Sequence, residues 1–94
     1  MIKRIVKLQI RPEEVDIFKS LFKQSKLIIL SFDCYHVECL QSIDDPSIFF
    51  TYSHWQSVDS LNVYRHSYEF AQIWKNTKAL FGDRAQAWST REVN

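Results

Sequence analysis

A single glycine and two prolines in 94 residues leave few places where the chain can turn sharply or remain without regular structure. That argues against linkers, low-complexity repeats and a disordered tail, and for one domain spanning residues 1–94. The two cysteines, Cys34 and Cys39, are too few for a disulfide framework. Five residues apart in what reads as one strand, they should point to opposite faces and stay reduced as small buried hydrophobes. An excess of one charge is missing too. Twelve Lys and Arg against eleven Asp and Glu give a formal net charge of +1, with no basic stripe for nucleic acid or an anionic membrane surface. No apolar run approaches the roughly 20 residues of a membrane-spanning helix, and the opening MIKRIVKLQI lacks the unbroken apolar core of a signal peptide. A cytoplasmic protein without nucleic-acid or membrane partners is expected. Glycine-rich phosphate loops, CxxC pairs, HExxH and GxSxG are absent, which disfavours nucleotide, zinc and serine-hydrolase chemistry.

What the chain does have is aromatic bulk, 15% of its residues, and clear periodicity. Ile48 to Trp55, IFFTYSHW, enters from the turn signal Asp44-Asp45-Pro46-Ser47 and reads as a central strand. Phe49, Thr51, Ser53 and Trp55 occupy one face of it, and Phe50, Tyr52 and His54 the other. With bulky residues on both faces, both should be covered. Upstream, Ile2 to Ile10 alternates, with Val6, Leu8 and Ile10 on one side and Lys3, Ile5, Lys7 and Gln9 on the other. Arg11-Pro12-Glu13-Glu14 opens a helix, and Val15, Phe18, Leu21, Phe22, Ser25, Ile28 and Ile29 form its apolar stripe to about Leu30. Asp33 to Ile43 reads as a second strand joined to the central one as a hairpin. Ser57 or Asp59 can cap a short helix with Val58, Leu61 and Tyr64 inward, and Ser67 can cap another carrying Phe70, Ile73, Trp74, Thr77, Leu80 and Phe81. Gly82 stands where a C-terminal helix cap would fall, and Ala85 to Val93 is the last strand.

The order β-α-β-β-α-β, with its second helix in two pieces, predicts an α+β ferredoxin-like (split βαβ) fold with a four-stranded antiparallel sheet. Helices in that arrangement cover one sheet face only. If Phe50, Tyr52, Tyr35 and Val37 lie on the other, a second copy should cover them, giving a homodimer joined sheet to sheet.

The segments IVKLQIRPEEVDIF, DDPSIFFTYSHWQSVDSLNVYRHSYEFAQIW, KALF and AWS, with a Trp closing the third strand before a short helix and a Ser-x-x-Phe motif, resemble the antibiotic biosynthesis monooxygenase (ABM) family of dimeric α+β barrels. The resemblance implies a cavity between sheet and helices. It also implies either cofactor-independent oxygenation of quinols, phenols or anthrones, haem degradation, or no activity. The haem-degrading members' Asn, Trp and His positions fall on Val6, Tyr64 and Trp74, so neither haem nor another cofactor or metal is expected. The Asn of the anthrone oxygenases falls on Thr51, although Trp55 matches.

An oxygenase of this kind needs a base, a donor to the developing oxyanion and a dry pocket. His66, in the turn between the two short helices, is one candidate base. His36 is another: if Ser42 stands opposite Phe49, then His36 and Glu38 share the cavity face with Thr51. Tyr64 is the candidate donor, and Trp55, Trp74, Glu38 and Thr51 would contact substrate. Packing alone also produces aromatic stripes, and His and Glu near a strand end also occur half-solvated without function. The expected activity is monooxygenation of a small aromatic substrate. The alternative is a non-catalytic module of the same fold, one that binds a small molecule in the cavity or has a filled, purely structural core.

Overall fold

The alternation of IKRIVKLQ and the β-branched and aromatic content of IFFTYSHW place both segments at the centre of one sheet. In the computed structural model, which describes all 94 residues, they form β1 (Ile2–Gln9) and β3 (Ile48–Trp55), paired antiparallel from Ile2 opposite Trp55 to Gln9 opposite Ile48. β2 (Cys34–Gln41) flanks β3, and β4 (Gln86–Arg91) flanks β1, giving an antiparallel sheet of order β2-β3-β1-β4. Pro12 opens a 3-10 turn (Pro12–Glu14) that runs into α1 (Val15–Leu30). Two shorter helices follow β3: α2 (Val58–Arg65), capped by Ser57 accepting from the Ser60 amide at 3.1 Å, and α3 (Tyr68–Lys78), capped by Ser67 accepting from the Phe70 amide at 3.0 Å. The ferredoxin-like topology, with its second helix broken at His66-Ser67, is as the periodicity predicts.

All three helices lie on the face carrying Ile2, Arg4, Val6 and Leu8 of β1 and Phe49, Thr51, Ser53 and Trp55 of β3. Two clusters fill this layer. Ile2, Cys34, Val37, Trp55, Leu61 and Tyr64 pack at one end, and Leu8, Ile10, Phe18, Phe49 and Leu80 at the other, with Phe22 touching both.

Several expectations need correction. Gln41, not Ser42, stands opposite Phe49, so the β2 register differs by one residue. A one-residue slip turns every side chain over. Val37 therefore joins the core at 3% exposure, whereas His36, Glu38 and Leu40 share the opposite face with His54, Tyr52 and Phe50. The loop sets this register. Ser42 Oγ accepts from the amides of Asp44 and Asp45, Asp45 Oδ1 accepts from the Ser47 amide and hydroxyl, and the Ser42 amide donates to the Ile48 carbonyl. A bulge at Tyr35, between the Cys34–Trp55 and His36–His54 pairs, brings Cys34 back to the helix side. Cys34 and Cys39 thus both face the core. They stay free thiols because a strand's rise separates them far beyond disulfide reach. Gly82 does not cap a helix: α3 ends at Lys78, Gly82 has no positive φ, and its amide donates to the Gln9 carbonyl at 2.8 Å beside the Ile10–Phe81 bridge. Within the α1 stripe, Ile28 is 39% exposed.

Candidate functional site

The two clusters do not meet completely. Between them is a cavity of about 110 Å³. Leu8, Val6 and Arg4 of β1, Thr51, Ser53 and Trp55 of β3 and Val37 of β2 form its floor, because those positions alternate onto the helix face. Phe18, Leu21, Phe22, Ser25 and Ile29 of α1 form one wall at helical spacing. Leu61, Tyr64 and Arg65 of α2 and Phe70, Ile73, Trp74 and Thr77 of α3 close the other side.

A run of aromatic contacts gives this wall its shape. Trp55 stacks on Tyr64 with centroids 5.1 Å apart, Tyr64 meets Phe70 edge-on at 5.1 Å, and Phe70 stacks on Trp74 at 5.9 Å. Most hydroxyls and the one indole N–H known to bond in the lining are already paired. Trp55 Nε1 donates to Ser53 Oγ at 2.9 Å, Ser25 Oγ to the Leu21 carbonyl at 2.8 Å, and Thr77 Oγ1 to the Ile73 carbonyl at 2.7 Å. Thr51, Tyr64, Arg4, Arg65 and the indole N–H of Trp74 are the remaining polar groups among the lining side chains. Burial, with the nearby Cys34 second, pushes the Tyr64 phenol well above its ordinary range, so it stays a protonated donor.

Trp55, Trp74, Tyr64 and Thr51 are therefore brought together around one space. The three proposed polar partners are not. His36 and Glu38 lie on the far side of the sheet, where His36 Nε2 is 3.5 Å from Glu38 Oε1, because the β2 register is one residue away from the expected one. His66 ends α2 exposed to solvent, with Nδ1 2.8 Å from the Asn62 carbonyl of its own helix, and does not line the cavity. No His, Asp, Glu, Cys or Met lines it at all. The lining thus offers no imidazole or thiolate to a haem iron and no acidic donors to a hard metal, and a porphyrin far exceeds its volume. Arg4 shares the parity of Val6 and Leu8, which puts it on the cavity face, but a lone cation in an alternating strand carries no signal of its own. Arg65 reads there as an ordinary solvated helix residue.

The opposite face of the sheet carries Ile5, Phe50, Tyr52 and His54 half-buried, with Leu40 and Trp88 49% and 47% exposed. No helix covers it, and every residue of β4 is exposed. His54 Nε2 is buried there without a hydrogen-bond partner.

Four antiparallel strands backed on one face by split helices, with an aromatic cavity between the layers, define a small ferredoxin-like α+β domain. The chain belongs to the antibiotic biosynthesis monooxygenase family, whose sequence model matches residues 1–76. Among solved structures it is similar to a conserved protein of Methanosarcina mazei Go1, with 22% identity and a TM-score of 0.92 over 98% of this chain and 92% of that one. An antibiotic biosynthesis monooxygenase matches with 19% identity and a TM-score of 0.90, all of both chains being covered. A Mycobacterium tuberculosis protein, Rv0793, matches at 14% identity and 0.89 over 99% and 95%. At these identities the likeness is one of fold. No curated protein matches the chain. No helix is long and apolar enough to cross a membrane.

Proposed function

We propose that the protein is a cofactor-independent monooxygenase that holds a small phenol, quinol or anthrone-like molecule in the cavity between sheet and helices. The observation that carries this reading is the Trp55–Tyr64–Phe70–Trp74 wall around a space of about 110 Å³, close to the roughly 150 Å³ of a cavity that takes up benzene. In the reaction the para C–H of a phenol becomes a quinone carbonyl, whereas a 1,4-quinol, whose para position already carries oxygen, becomes a hydroxyquinone at another ring C–H. One atom of dioxygen enters the product, and the other leaves as water with the C–H and O–H hydrogens. Tyr64, kept protonated by burial, and Thr51 would donate to the substrate oxygen as it becomes an oxyanion. Because no side-chain base lines the cavity, the substrate loses its proton to solvent at the cavity mouth, before or during binding. The rate should then follow the substrate's own ionisation and show no inflection from a protein imidazole.

The same absence of a base supports a second reading, a module that binds a small aromatic molecule without turning it over. An oxygen electrode separates the two. With a panel of phenols, quinols and an anthrone, consumption above the uncatalysed rate that stops on cavity blockade supports the enzyme. Binding without consumption leaves the module.

The uncovered sheet face supports a homodimer formed through it, with the partner also covering β4. Two free thiols are in keeping with a cytoplasmic setting.

A further inference from the structure

Two arginines line a cavity that contains no carboxylate. Arg4 rises from β1 onto the helix face, partly buried, and its Nη1 donates to Ser89 Oγ at 2.8 Å from the neighbouring strand. Arg65, exposed at the end of α2, stands at the mouth. A basic residue in the last turn of a helix is ordinary. Lining a cavity beside a second arginine is not explained by that. Neither takes part in the ion pairs of the chain, which join Lys3 to Glu92, Arg11 to Glu13 and Glu14, and His36 to Glu38. The two cations are near enough to oppose each other: burial first, and the Arg65 charge second, hold the Arg4 guanidinium below its ordinary range. Like charges drawn together at an apolar cavity without a counter-ion disfavour the unliganded state, and an anion between them would relieve it.

We infer that the cavity takes an aromatic monocarboxylate of a single ring, its carboxylate held by Arg4 and Arg65 at the mouth and its ring against Trp55, Tyr64 and Trp74. This rests on the aromatic-ligand reading above and narrows it. Guanidinium forks match the two oxygens of a carboxylate, and a space of about 110 Å³ suits a single ring, the smallest of the ligands that reading admits. The arginines then act as specificity residues that orient the ring, leaving Tyr64 and Thr51 to face its other substituents.

The test uses the full chain and two probes of nearly equal shape, benzoate and benzamide, titrated while the indole N–H signals of the tryptophans are followed by NMR. Benzoate should bind at least about tenfold more tightly than benzamide, the scale of a hydrogen-bonded charge, and this preference should shrink as salt is raised. Trp55 and Trp74 signals should move, and that of Trp88, on the other sheet face, should not. Arg65→Gln and Arg4→Gln should each remove most of the preference while benzamide binding persists, whereas Arg84→Gln, the same charge loss on an exposed loop, should keep it. If Arg4→Gln fails to fold, Arg65→Gln alone decides. Equal affinity for the two probes, or a preference unchanged in Arg65→Gln, overturns the inference and leaves the aromatic cavity standing. If neither probe binds, nor any phenol or quinol of the oxygen panel, both readings fall together.

Discussion

Tyr64 is the residue on which packing and chemistry compete most directly. Its ring is locked between Trp55, Phe32 and Phe70, at centroid distances of 5.1 Å in each case, so its hydroxyl position is fixed by aromatic contacts. Tyr64→Phe preserves that packing and removes only the donor. Turnover of an oxidised phenol should fall by roughly 10²-fold with little change in substrate affinity, as expected for a donor that acts on the developing oxyanion. A parallel rise in KM with unchanged kcat would place the hydroxyl in ground-state binding instead. His66→Ala is the informative companion. The imidazole only caps its own helix through the Asn62 carbonyl, so oxygen consumption should stay within about twofold of the parent. A loss approaching 10²-fold would restore His66 as a base and require α2 and α3 to rearrange on substrate binding.

At the scale of elements, the register of β2 decides which residues can reach the cavity. Val37 occupies the core at 3% exposure, against Trp55, Leu61 and Tyr64. Val37→Ala should therefore cost about 2 kcal/mol in denaturant unfolding. The alternative register, which turns Val37 to the open face, predicts less than about 0.5 kcal/mol. The other elements were legible because each carries its own signal. β1 and β3 alternate, Ser57 and Ser67 sit at the caps, and the aromatic stripe of α3 has helical spacing. The inward spacing of Leu61 and Tyr64 on α2 and of Phe70 and Trp74 on α3 is the same signal, and all four line the cavity. For β2 the alternation of CYHVECLQ is equally good in either phase. Its phase depends on the hydrogen bonds of Ser42 and Asp45 in the loop and on the bulge at Tyr35, neither of which leaves a periodic trace. A phase one residue off puts His36 and Glu38 on the cavity face. Arg4 failed to stand out for a different reason: a cation on an inward position looks like an irregularity in the strand until the helix opposite it brings a second cation, Arg65, to the same space.

On the whole-molecule scale, the proposed homodimer would bury two of the chain's three histidines, His36 and His54, at one surface, and this makes association sensitive to acid. His54 lies on the uncovered sheet face beside Lys3, which is its β1 partner, with the His36 ring at 5.1 Å and the Tyr52 ring at 4.9 Å. Burial first, then the charges of Lys3 and His36, lower its affinity for a proton from the ordinary 6.5, with Glu38 acting in the opposite sense. A base whose folded value is depressed is neutral in the native state, while the unfolded chain takes up a proton. Its contribution to stability is therefore complete above pH 6.5 and is lost as pH falls from there through the folded value. Pairing two sheets face to face adds further burial, so association should shift in the same direction. It would also bring a second His54, Lys3 and Lys7 towards the first set, with Glu38 and the Glu92 paired to Lys3 on each copy to offset them in part. Sedimentation equilibrium at micromolar concentration should find a dimer of constant strength from about pH 7 to 8.5 that weakens progressively below 6.5. His54→Gln, which cannot be protonated, should hold the dimer together at about pH 5.5, where the parent dissociates. A dimer that is equally strong in acid would remove His54 from the interface. A monomer at every pH would mean that Phe50, Tyr52 and Trp88 face solvent, and the homodimer reading would have to be given up.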